Sequence, residues 1–81
     1  MTIMGIYKIE NKITKKCYIG QSIDIDKRWR REIADAFNSN SRAYNYPLSQ
    51  AIRKYGIDNF DFLVLEECKR EELNYKEKFW I

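Results

Sequence analysis

Residues 5–21 read "GIYKIENKITKKCYIGQ", and their reading decides the fold. Two short runs rich in Ile and Tyr, "GIYKIEN" and "KKCYIGQ", flank the polar "KITK". That pattern predicts a β-hairpin. With the turn centred between Lys12 and Ile13, Tyr7 stands opposite Tyr18, and both project to one face with Cβ atoms ~4.5–5.5 Å apart. A one-residue slip would send them to opposite faces. "GIY" and "YIG" would then be two halves of one surface.

Outward from the hairpin, "DIDKRWRREIADAFN" predicts a helix capped by Asp24, with Trp29, Ile33, Ala36 and Phe37 as its apolar stripe. "NSNSRAYNY" is a polar loop. Pro47 opens a second helix, with Leu48, Ala51, Ile52 and Tyr55 inward and Gly56 just past its end. "NFDFLVLEE" predicts a third strand with Phe60, Phe62 and Val64 on one face and Leu63 and Leu65 on the other. Apolar residues on both faces suit a central strand. "CKREELNYKEKFWI" predicts a final helix whose inward stripe holds Leu73, Lys76 or Glu77, and Trp80. A carboxylate in an apolar stripe either reaches water at its edge or needs a partner, a proton or a metal.

The chain of 81 residues reads as one small α+β domain spanning 1–81, a three-stranded antiparallel sheet flanked by helices in the order β-β-α-α-β-α. No apolar run approaches the ~20 residues of a membrane span. The N-terminus has no apolar signal region, so a cytoplasmic location without membrane association is expected. Cys17 and Cys68 form no Cys-x-x-Cys pair and histidine is absent, which excludes zinc sites and Cys–His or Ser–His catalysis. Both cysteines read as reduced and structural. Residues 1–31 hold eight Lys/Arg against three acids, and residues 32–81 hold seven against nine. Positive charge thus gathers around the hairpin, which fits a phosphate-bearing partner or a solvated basic face.

Four features ask for one explanation: paired tyrosines, Arg28 ten residues after Tyr18, Glu77 in an apolar stripe, and the basic surround. In this order they resemble the GIY-YIG nuclease family. The resemblance rests on Gly5-Ile6-Tyr7, Tyr18-Ile19-Gly20, "DKRWRR", "AIRKYGIDNFDFLVLEE" and "EKFWI", and it covers essentially the whole chain. It implies hydrolysis of DNA phosphodiester bonds with one Mg²⁺ or Mn²⁺ ion. It implies that Glu77 ligates the metal, Arg28 holds the scissile phosphate, Tyr7 acts as general base, and Tyr18 positions or activates water. Lys8, Lys16, Lys27 and Arg31 are the candidate phosphate contacts, and Gly20 would let phosphate or water approach the sheet.

The chemistry agrees. A phosphodiester transition state gains negative charge, which a cation and a guanidinium stabilise. Mg²⁺ commonly uses one or two carboxylates plus water and phosphate. A tyrosine of pKa ~10 needs neighbouring positive charge to act as a base. Two departures from the family stand out. Glu32, four residues after Arg28, occupies a position where members commonly carry His or Tyr, and is expected to weaken activity. The chain also ends at Ile81, before an asparagine that helps complete the site in many members. It reads as a catalytic module cut from a larger protein, with a separate DNA-binding domain selecting the target. The alternatives are a non-catalytic nucleic-acid-binding module and a protein-interaction domain on the same scaffold.

Overall fold

The computed structural model describes residues 2–81. Strand β1 (Gly5–Asn11) and strand β2 (Cys17–Ser22) form the hairpin. Helix α1 (Ile25–Ala36) and helix α2 (Pro47–Tyr55) follow, then strand β3 (Phe60–Glu67) and helix α3 (Leu73–Trp80). Short 3-10 turns precede α2, β3 and α3. The sheet is antiparallel with order β2-β1-β3, so the expected three-stranded α+β architecture is present.

The hairpin register differs from the expected one by two residues. Tyr7 pairs with Gly20, and Tyr18 pairs with Ile9. The cause is local. Asn11, almost wholly buried, turns its side chain into the loop and accepts the backbone N–H groups of Ile13 (2.9 Å) and Thr14 (3.2 Å). Lys15 takes the left-handed conformation (φ 67°), and Asn11 N–H closes the loop onto the Lys16 carbonyl at 2.9 Å. The turn therefore centres between Ile13 and Thr14. A two-residue shift preserves side-chain parity, so both tyrosines keep one face. They are diagonal rather than directly opposed, which sets them roughly 7–8 Å apart.

The central strand is β1, not β3. Gly5, Ile6, Tyr7, Ile9 and Asn11 are all buried, as a strand paired on both edges requires. β3 is an edge strand, and its Leu63 and Val64 are about two-fifths exposed, at 42% and 39%. A bulge breaks its regular pairing: Val64 faces Tyr7 but Glu66 faces Ile6, which leaves Leu65 as the extra residue. Without the bulge, Glu66 would share a face with Phe60, Phe62 and Val64. With it, Glu66 turns to the face of Ile6.

One face of the sheet packs on α1 and α2 through Tyr7, Ile9, Ile25, Ala36, Leu48, Ile52 and Phe60. Asp24 caps α1 by accepting the Lys27 N–H at 3.1 Å. Ile25, which no periodicity singled out, is 1% exposed, whereas Phe37, expected in the stripe, ends the helix and is 61% exposed. Pro47 opens α2, and Gly56 follows it at φ 86°. Helix α3 packs against β1 and β2. It begins at Leu73 rather than Cys68, because Arg70–Glu72 form a 3-10 turn.

Candidate active site

Four elements, β1, β2, α1 and α3, carry the predicted chemistry to one place. From β1, Tyr7 projects across the hairpin over Gly20. A Cβ on Gly20 would lie 2.5 Å from Tyr7 Cζ and Oη. The room over Gly20, expected to admit phosphate or water, is filled by the tyrosine ring. Trp29 of α1 meets Tyr7 edge-on at 6.1 Å between centroids and also packs against Phe62. This apolar backing leaves Tyr7 only 3% exposed.

At the ring's polar end, Tyr7 Oη donates to Glu32 Oε1 at 3.3 Å. The same oxygen accepts Arg28 Nε at 3.0 Å. Arg28 and Glu32 lie one turn apart on α1, so helix spacing alone brings them together. Burial pushes the Tyr7 phenol up to about 12, and the Glu32 charge raises it further than Arg28 lowers it. Arg28 is held above its ordinary value, chiefly by its hydrogen bond to Glu32. In this arrangement Tyr7 is a protonated hydrogen-bond donor.

Glu77 arrives from α3. Gln21 of β2 donates through Nε2 to Glu77 Oε1 and to Asn74 Oδ1, both at 2.8 Å. An amide has two N–H donors, so both bonds are satisfied at once. On the far side of α3, Glu66 accepts Trp80 Nε1 at 3.2 Å and pairs with Lys76 at 2.7 Å. The Lys76 hydrogen bond is the main cause of a Glu66 pKa below the usual value. Glu66, Ile6 and Gln21 form one row across the sheet. Ile6 is fully buried, and the two polar ends hold the helix. The bulge in β3 thus helps to fix the position of Glu77.

A cleft of about 480 Å³ collects Tyr7, Tyr18, Gly20, Arg28, Glu32 and Glu77. It includes neighbouring β2 residues that point to opposite faces, which only an edge strand permits. Lys8 lies outside it, on the opposite face from Tyr7, paired with Glu10 at 3.4 Å. Lys16 sits 5.4 Å over the Tyr18 ring in an adjoining depression. Lys27 and Arg31 border a separate groove on α1.

Two cleft residues escaped the sequence reading. Gln21 adjoins the "YIG" triplet, but its partner lies 56 positions away. Tyr46, 59% exposed, stands on the opposite wall just before Pro47. Its loop is tied down by Arg53, which stacks 3.8 Å over Tyr44 and donates to the Ala36 carbonyl at 2.6 Å. An aromatic beside a helix-opening proline was the only signal.

Among the described residues no three His, Cys, Asp or Glu side chains cluster as a metal site. Two half-buried carboxylates line the cleft: Glu32 Oε1 is engaged by Tyr7 and Arg28, whereas Glu77 Oε2 takes no hydrogen bond among the described residues. That donor set fits a hard cation completing its shell with water and phosphate.

The family model described as the GIY-YIG catalytic domain matches residues 3–81. The chain belongs to the GIY-YIG family. It is 33% identical over 79 residues to intron-associated endonuclease 1 of Enterobacteria phage T4, covering 95% of this chain and 31% of that protein. It is 36% identical over 65 residues to an MSV199 domain-containing protein of Invertebrate iridescent virus 6, covering 79% and 25% respectively. The chain thus spans less than a third of these curated relatives. The solved catalytic domain of homing endonuclease I-TevI superposes with a TM-score of 0.78 at 30% identity, covering 96% of this chain and 84% of that one. A mutant of that domain gives a TM-score of 0.81 at 30% identity, covering 98% and 80%. These similarities confirm the GIY-YIG fold with its three-stranded antiparallel sheet and three helices.

Proposed function

We propose that this GIY-YIG domain is the catalytic module of a DNA endonuclease, hydrolysing phosphodiester bonds with one Mg²⁺ or Mn²⁺ ion. The observation that carries this reading is the convergence of Tyr7, Tyr18, Arg28 and Glu77 in one cleft. The similarity to an intron-associated endonuclease supports DNA as the substrate. The greater length of that relative supports a separate domain that selects the target.

Each residue has a distinct part. Glu77, oriented by Gln21, holds the ion, which when bound would stabilise negative charge on the phosphate. Arg28, whose Nε is engaged by Glu32, offers its remaining N–H groups to the scissile phosphodiester. Tyr18 and Tyr7 flank the position of the attacking water. As a base, Tyr7 must first lose the proton that burial and Glu32 help it keep. Glu32 therefore weakens the site, both by holding that proton and by bringing negative charge toward the phosphate.

Supercoiled plasmid nicking with Mg²⁺ or Mn²⁺ tests the reading. Glu77→Ala and Arg28→Ala should abolish nicking, with a gel shift of the same DNA retained. Nicking that survives Glu77→Ala would sink the assignment. A second reading, DNA binding without cleavage, is favoured by the shared Glu32 bond to Tyr7 and Arg28. It requires a gel shift from the parent chain with no nicking under any divalent ion.

A further inference from the structure

Beside the cleft lies a second groove of about 390 Å³. Its wall includes Ser22 at the end of β2, Asp24, and three cations of α1: Lys27, Arg28 and Arg31. Arg28 lines both depressions, so it forms the ridge between them. Lys27 and Arg31 lie one helical turn apart. Neither side chain enters an ion pair or hydrogen bond among the described residues. Their helix neighbours differ: Arg28 is paired with Glu32 and Arg30 with Asp26. The acid in the groove is also committed, because Asp24 Oδ1 accepts the Lys27 backbone N–H at 3.1 Å. Ser22 Oγ accepts from Asp24 N–H at 3.0 Å, which leaves its hydroxyl proton to donate.

We infer that this groove binds the phosphodiester next to the scissile one, so that the polynucleotide backbone crosses Arg28 from the cleft onto Lys27 and Arg31. The inference rests on the cleft being a DNA phosphodiester site and adds the path of the strand leaving it. One turn of helix is about 5.4 Å, while successive phosphates of one duplex strand rise ~3.4 Å along the axis and lie farther apart along the winding backbone, so two cations can serve one or two phosphates. Neither long side chain is committed elsewhere, and each can turn toward an arriving phosphate. The groove makes the substrate a polynucleotide, with at least one phosphodiester beyond the bond that is cut.

The test is the salt dependence of binding to a labelled duplex, read by fluorescence anisotropy and needing no cleavage. Each phosphate contact contributes about 0.9 to the slope of log K against log salt. The double variant Lys27→Ala/Arg31→Ala should lower that slope by about 0.9 if the two cations share one phosphate and by about 1.8 if they serve two. The control Lys12→Ala/Arg30→Ala removes the same charge from cations already paired with Asp61 and Asp26, and should change it little. An unchanged slope in the first variant overturns the proposal, as does an equal fall in both, which would report net charge alone. Failure of the parent chain to bind at low salt overturns it too. A selective fall in slope, with no metal-dependent nicking by the parent, leaves the groove standing and removes the catalytic reading.

Discussion

Tyr7 and Gly20 face each other across the hairpin, and the tyrosine ring occupies the space a side chain on Gly20 would need. Backbone freedom is not the reason for this glycine, since its φ is not positive. The reason is contact with the reactive end of the ring, whose hydroxyl is also bonded to Glu32. Gly20→Ala must therefore displace Tyr7 and stretch that bond. Overpacking of this kind costs about 1–3 kcal/mol. The unfolding midpoint should fall accordingly, and plasmid nicking should fall by about tenfold or more, the equivalent of ~1.4 kcal/mol of transition-state stabilisation. Unchanged nicking in a folded Gly20→Ala protein would show that the position of Tyr7 does not matter to the chemistry.

Glu32 is the residue on which the level of activity turns. Its Oε1 accepts from both Tyr7 and Arg28. Glu32→His removes the negative charge and frees Arg28 Nε. Nicking with Mg²⁺ should rise by about tenfold, roughly 1.4 kcal/mol in the barrier. The Tyr7 phenol should titrate at lower pH in Glu32→Gln, observable by NMR of ring-labelled tyrosine, while still lying above its ordinary 10.0 because burial is the larger cause. An Glu32→His protein no faster than the parent would refute the weakening role.

Much of this site was legible from local signals. Asp24, Pro47 and Gly56 mark helix ends through bonds and backbone angles that depend on immediate neighbours, and each stands where local chemistry puts it. The spacing of Arg28 and Glu32 is a property of one helix. The hairpin register was not legible, because it turns on the buried Asn11 side chain and the left-handed Lys15. Nor was the central strand: the "FLVL" run suggests two covered faces, but it lies on an edge strand that leaves Leu63 and Val64 exposed, which alternation alone does not reveal. The bond between Gln21 and Glu77 joins distant segments, and no periodicity encodes it.

Gln21 is expected to act as a positioning residue for metal binding. Its amide holds Glu77 and Asn74 together at 2.8 Å each. Gln21→Leu keeps similar bulk but removes both donors. Loss of such an orienting partner typically costs 10–100-fold in metal affinity. Mn²⁺ titration followed by electron paramagnetic resonance should show at least about a tenfold weaker site. Partial recovery in Gln21→Asn at raised Mn²⁺ would separate orientation from a general loss of structure. Equal affinity in parent and Gln21→Leu would remove Gln21 from the site.

Tyr7 also makes the fold sensitive to alkali. Its phenol is shifted from 10.0 to about 12 in the folded chain, first by burial and then by Glu32. The folded state therefore keeps a proton that the unfolded state gives up. Between these values the unfolded chain binds fewer protons, so stability must fall as pH rises. The contribution is fully present below pH 10, where both states are protonated, and is lost progressively toward pH 12. A shift of two units corresponds to at most about 2.7 kcal/mol. Urea unfolding from pH 8 to pH 11.5 should show a steeper decline for the parent than for Tyr7→Phe, which has no proton to lose there. The other titrating groups are common to both proteins and cancel in the difference. Glu32→Gln should fall between the two, because it removes one cause of the shift and leaves burial in place. Parallel curves for parent and Tyr7→Phe would mean that the phenol ionises as readily in the folded chain as in the unfolded one.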